Sequence, residues 1–135
     1  MANLYGLNAI GQVAYIKATG TGTNEDPFVV QNDLYNAGLK SAIVSSSSNA
    51  DVVAAVAATK LRVLSMAITA VSGCTVKLQR GGSTDLTPPF HIGAGGNLVI
   101  SNPLGLFETA VNEKINAVVS GTTTYTVFLS YREIV

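Results

Sequence analysis

The sequence predicts an all-β protein, a jelly-roll-like antiparallel β-sandwich with an N-terminal extension, and two observations carry that expectation. Apolar and polar side chains alternate with a two-residue period along several runs, and turn-forming residues interrupt those runs at about the spacing of sandwich strands. The segments between the turns number eight, the count of a jelly roll.

The alternation is plainest from Tyr125 to Val135, which opens with apolar residues separated by mostly polar ones. Cys74, Val76 and Leu78 alternate with Thr75, Lys77 and Gln79; Leu64, Met66, Ile68 and Ala70 alternate with Ser65, Ala67 and Thr69. Ile115, Ala117 and Val119 alternate with Lys114, Asn116 and, less cleanly, Val118. Turn signals stand at Ser72-Gly73, Gly81-Gly82, Gly93 to Asn97, Asn102-Pro103, Val111-Asn112 and Ser120-Gly121. Strands are therefore expected at about 51–58, 61–71, 74–80, 89–92, 97–101, 105–110, 113–119 and 123–133. Alanine-rich 51–58 also admits a helix capped by Asn49 or Asp51, but its three valines and the lack of a polar face favour a strand. Inward-facing positions follow from the period: Leu64, Met66, Ile68, Val76, Leu78, Leu98, Ile100, Ile115, Val127 and Leu129.

Ser45 to Ser48 mark a change of texture, a linker or a loop, and divide the chain into an extension over 1–48 and a sandwich over 49–135. Within the extension, Gln12 to Ala18 and Phe28 to Gln31 are short strand candidates, Ala42 to Val44 is a third, brief apolar piece, and Gly20 to Pro27 is a polar, turn-rich stretch. So few apolar residues do not make a core, so the extension either adds strands to the sandwich or reaches a neighbouring molecule. Leu4, Tyr5, Tyr15, Phe28 and Tyr35 are the candidate partner-binding residues, because large apolar and aromatic groups dominate interface energetics.

At 135 residues one compact domain plus an appendage is expected. Charged residues make up 12%, half the usual ~25%, and eight basic residues balance eight acidic ones. Such a surface has no basic field for nucleic acid or acidic membranes and little repulsion between copies, so it suits self-association or burial in an assembly. Apolar runs fall far short of the ~20 residues that span a bilayer, and the N-terminus has no basic cluster followed by an apolar run, so neither a transmembrane segment nor a signal peptide is expected.

Catalytic chemistry finds no residues to use. His91 is the single histidine, and only a symmetric trimer would bring three copies around one axis. Cys74, the one cysteine, sits in the alternation as a small buried hydrophobe. Gly20-Thr21-Gly22 and Gly93 to Gly96 lack the following helix and Lys-Ser or Lys-Thr of a phosphate loop. Glu25, Asp26 and Asp33 lack the spacing of a calcium loop, and no serine is set beside a patterned His and Asp. No catalytic residue, cofactor or metal is expected, and the chain reads as a non-enzyme.

The run Val52 to Ala57 leading to Lys60 to Ser65, followed by Thr75 to Gly82 and Asp85-Leu86-Thr87, resembles small β-sandwich virion proteins of tailed bacteriophages. Gly93 to Ile100, Gly105 to Ala110, Glu113 to Asn116 and Tyr131 follow that pattern in the same order, over about the last two thirds of the chain. The resemblance implies a structural protein of the virion, made in the host cytoplasm: a capsid decoration or cement protein on the outer surface of the major capsid protein shell. It also implies a homo-oligomer, with a trimer favoured by the three-fold positions of shells. The alternative within the same family is a fibre, spike or tail accessory module that binds a host glycan or another virion protein.

Overall fold

The computed structural model describes residues 38–135 in full, and the backbone of four short strands before them. The chain divides into two compact units, Met1–Ala37 and Gly38–Val135. In the first, β1 (Tyr5–Leu7) pairs antiparallel with β2 (Val13–Tyr15), and β3 (Ala18–Thr19) pairs antiparallel with β4 (Val29–Val30).

The second unit is built of β5 (Leu39–Ser46), β6 (Ala50–Val53), β7 (Lys60–Ala70), β8 (Cys74–Arg80), β9 (Thr84–Asp85), β10 (Phe90–Ile92), β11 (Asn97–Ser101), β12 (Phe107–Glu108), β13 (Ile115–Ser120) and β14 (Tyr125–Ile134). Two antiparallel sheets form a sandwich. The first has the order β10-β8-β13-β6 with β9 beside β8; the second has the order β11-β7-β14-β5 with β12 beside β7. Setting aside the two-residue strands β9 and β12, the eight principal strands are divided between the sheets in jelly-roll order, first with last and third with sixth in one sheet, second with seventh and fourth with fifth in the other.

Membership of that set of eight differs from the sequence expectation in two places. The 105–110 segment contributes only β12, because Asn102 to Gly105 closes a turn and Leu106 N and Thr109 N bond back to Val63 and Leu61 carbonyls at either side of a short ladder. The missing strand is β5, which the 48/49 division had placed in the extension; it pairs with β14 over eight residues, so the sandwich unit begins at Gly38. Its signal is faint because the inward residues, Ala42 and Val44, are small and only half-buried. The serine run that follows is a tight connection: Ser48 N donates to Ser46 Oγ at 3.1 Å, and the buried Tyr125 hydroxyl donates to Ser48 O at 2.8 Å. The expected 51–58 strand is the short β6, and 54–58 is neither strand nor helix.

The core lies between the sheets. Leu61, Val63, Ile68, Val76, Leu78, Ile115, Val127 and Leu129 are fully buried, with Met66 nearly so, and Leu98 and Ile100 pack against them half-buried. Leu64 does not join them. A bulge in the β7–β14 ladder sets Ser130 against Ser65 but Tyr131 against Val63, so Leu64 is the extra residue and the inward set changes phase from Leu61 and Val63 to Met66, Ile68 and Ala70.

Candidate binding surfaces

The pairing register of the second sheet aligns side chains from four strands into rows on its outer face. Ile43, Phe128, Ala67 and Val99 are successive partners across β5, β14, β7 and β11. All four alternate with core residues and so point away from the sandwich. Ile43 and Val99, at the two ends of the row, are 68% and 70% exposed. On one side of this apolar row run Ser45, Thr126, Thr69 and Asn97, and on the other Ser41, Ser130, Ser65 and Ser101. Three rows across the full width of the sheet thus carry no ionisable group. Leu39 and Val71 extend the exposed apolar surface beyond them, and the nearest charges are at the border, in the row where Leu39, Arg132 and Arg62 are register partners and Arg62 pairs with Glu108.

The outer face of the first sheet is built from the opposite chemistry. Lys77 on β8 pairs with Asp85 on β9 at 2.9 Å, and Lys114 at the start of β13 pairs with Asp51 on β6 at 2.8 Å. Arg80 pairs with Glu113 at 2.6 Å at the end of β8. Hydrogen bonds from Lys77 and Gln79 hold the Asp85 carboxyl below the usual carboxylate range, and the Arg80 bond does the same for Glu113, aided by the Ala110 backbone N–H. Between β6, β8 and β13 an open depression of ≈ 610 Å3 is lined by Asp51, Gln79, Lys114 and Asn116 among others. Gly82, on its rim, has φ +91, a left-handed conformation open to glycine that brings the turn after β8 close beside the depression.

The residues singled out in the sequence fall elsewhere. Tyr5 and Tyr15 occupy paired strands and are register partners; Leu4, Phe28 and Tyr35 lie outside the described residues, as does the Gly20 to Pro27 stretch. His91 is exposed on β10 opposite Thr75. Cys74 opens β8, packs half-buried against the core, and burial pushes its thiol up. Among the described residues no group of three His, Cys, Asp or Glu side chains converges, and no helix is long and apolar enough to cross a membrane. The surface residues missed in the sequence had one signal available: Ile43, Phe128 and Val99 are large and apolar at positions whose neighbours in the alternation face inward.

The fold and this face define a class, a jelly-roll protein with a charge-free band of three rows on one outer sheet face. No protein-family model matches the chain, and no curated protein matches its sequence. Among solved structures the chain is similar to the cupin domain of Schizosaccharomyces pombe Cnp3, at 9% identity and a TM-score of 0.34, over 98% of this chain and 87% of that one.

Proposed function

We propose that this protein is a non-enzymatic capsid decoration (cement) protein that binds the outer surface of a phage major capsid protein shell and stabilises it. The observation that carries the reading is the band of three charge-free rows on the second sheet, where an apolar row is flanked by polar, mostly hydroxyl-bearing rows. Desolvating serine, threonine and aliphatic groups costs far less than desolvating unpaired charge, so such a face can be covered repeatedly by identical neighbours. The resemblance of the segments from Val52 onward to small phage virion proteins supports the same reading.

The magnitude of the contact sets the mechanism. Four strands ~4.8 Å apart and three rows ~6.8 Å apart make a face of roughly 400 Å2, short of the ~800 Å2 per partner of a stable pairwise complex. A single contact on this face is weak. Binding becomes firm when several copies, as a trimer or as a lattice, contact several shell subunits together, and when the segment before Gly38, with Tyr5 and Tyr15, adds its own contacts. Dissociation then requires many contacts to break at once.

Quantifying the protein in purified virions tests the role: a cement protein is present in copy numbers comparable to the shell protein, whereas a handful of copies per particle sinks the reading. Co-sedimentation of purified protein with bare capsids tests the surface. The double variant Ile43→Lys/Val99→Lys should keep its fold and leave the capsid fraction, and undiminished coating by that variant would overturn the assignment of the face.

A further inference from the structure

Among the described residues each sheet of the sandwich has two edges, and three of the four are blunted in ways that keep a strand from pairing further. β10 has three residues and follows Pro88-Pro89; β11 has five, set between the Gly93 to Gly96 turn and Pro103. β6 has four, carries Asp51 and borders a bulge in its ladder with β13. The fourth edge, β5, is built otherwise. It runs for eight residues in unbroken register with β14, contains neither Gly nor Pro, and has no second strand beside it among the described residues. Its one charged residue, Lys40, stands near the start of the strand and is held at 2.6 Å by Glu133 of β14. Beyond it the edge reads Ser41-Ala42-Ile43-Val44-Ser45-Ser46, with every second backbone N–H and C=O directed away from β14. A regular, uncharged edge of this length is a template for another strand.

The pattern of the strand itself names the occupant. A two-fold axis through Ile43, perpendicular to the sheet, sets β5 antiparallel to β5 of a second copy. Ile43 then faces Ile43 of that copy, Ser41 faces Ser45, Ala42 faces Val44 and Lys40 faces Ser46. Apolar side chains meet apolar ones, hydroxyls meet hydroxyls on the outer face, and no charge lies opposite its own kind. Moving the axis by one residue, to Ala42, sets Ile43 against Ser41 and Val44 against Lys40, and the match is lost. We propose that β5 is a dimerisation edge, which joins two copies of this chain into one continuous second sheet through an antiparallel ladder centred on Ile43. The perpendicular axis keeps both outer faces on the same side, so the row of Val99, Ala67, Phe128 and Ile43 runs on into the same four residues of the second copy in reverse order. The flanking rows join as well, where Ser41 of one copy meets Ser45 of the other. One copy offers roughly 400 Å2 of this band, and eight strands offer roughly 800 Å2, the area per partner of a stable complex. The pairing needs only the edge and its pattern and does not rest on the capsid reading; the doubled band is what it adds to that reading.

Sedimentation velocity of the purified full chain, without capsids, tests the pair. The parent should be a dimer at tens of micromolar. Ile43→Lys sets two like charges face to face at the axis, and Ser41→Lys/Ser45→Lys does so on both sides of it. Each should weaken the dimer at least tenfold while circular dichroism melts stay near those of the parent, because these positions are exposed. Ser41→Lys/Ser45→Glu introduces as many charged side chains but places opposite signs against each other in the proposed register, and should remain a dimer. Val99→Lys, on the far edge β11, should remain a dimer too, so that loss of capsid binding and loss of pairing are read separately. A monomeric parent, its β5 edge free or taken by another segment of the same chain, overturns the proposal, as does a trimer. A dimer that survives Ile43→Lys and Ser41→Lys/Ser45→Lys undiminished overturns it as well, and so does equal weakening by Ser41→Lys/Ser45→Glu.

Discussion

The two outer faces of one sandwich, drawn from the same alternating strands, differ in kind. The first sheet shows lysines and carboxylates tied in pairs around a polar depression, and the second shows hydroxyls and aliphatic groups with no charge across three rows. On the second sheet the charges, Lys40 with Glu133 and Arg62 with Glu108 among them, stand at one end and leave those three rows clear. The difference teaches that a near-neutral composition can still give two unlike surfaces, one of paired charges and one of uncharged rows.

The comparison breaks most completely if the shared core fails, since both faces hang on it. Val127→Asp or Leu78→Asp places an unpaired carboxylate where exposure is 0%, at several kcal/mol against a total stability of about 5–15 kcal/mol. Circular dichroism should show an unfolded chain, and a cooperative melt at the parent temperature would contradict the assigned core.

Removing one edge damages a single face. A chain starting at Gly38 should fold, because that unit is compact by itself, whereas a chain starting at Ser46 loses β5, its ladder with β14 and the cover that Ala42 and Val44 provide. We expect the shorter chain to lose roughly 2–4 kcal/mol in urea melts, from lost apolar burial. Equal stability of the two chains would return β5 to the extension. If the Gly38 chain also coats capsids as well as the parent, the segment with Tyr5 and Tyr15 has no anchoring part.

Charge placed on the second face should separate binding from stability. Ile43→Lys/Val99→Lys should shift stability by less than about 0.5 kcal/mol while reducing capsid occupancy at least tenfold at equal concentration. Occupancy of the parent should also vary little between low and high salt, because an uncharged contact has little electrostatic attraction to screen. A strong salt dependence would move the docking surface to the charged face.

The loop between β12 and β13 offers a smaller effect unrelated to either face. Asn112, at φ 63, accepts from Ala58 N at 2.6 Å and holds a left-handed conformation that alanine disfavours. Asn112→Ala should cost about 1–2 kcal/mol, measured by thermal melts, without changing capsid occupancy in the co-sedimentation test.

Acid gives the smallest and most selective response. Asp85 and Glu113 have carboxyls held below their ordinary range, so their contribution is fully present above the unfolded carboxylate values near 4 and is lost as pH falls through the lower folded values. Melting temperature should dip modestly below about pH 4, and Glu113→Gln should flatten part of that dip. Capsid adhesion between pH 7 and pH 5 should not change, since the three rows on the second face hold no titrating group.

Period-two alternation and turn residues were enough to determine the all-β class, most strand positions and nearly all of the core, because a strand with one buried face writes that face into its own residues. Val76, Leu78, Ile115, Val127 and Leu129 sit as that pattern required. What the tertiary structure alone decided is whatever depends on pairing between distant strands. The bulge that displaces Leu64 exists only because β14 opposes β7, and β5 is a strand because β14 supplies the hydrogen bonds its small inward residues could not specify. Ile43, Phe128, Ala67 and Val99 are up to 85 positions apart in the chain, 43 to 128, and become one row through register. The unpaired acceptor on Asn116 is likewise invisible in a sequence, where an asparagine among alternating residues reads as an ordinary outward side chain; its burial and orientation come from Gln79 on the neighbouring strand.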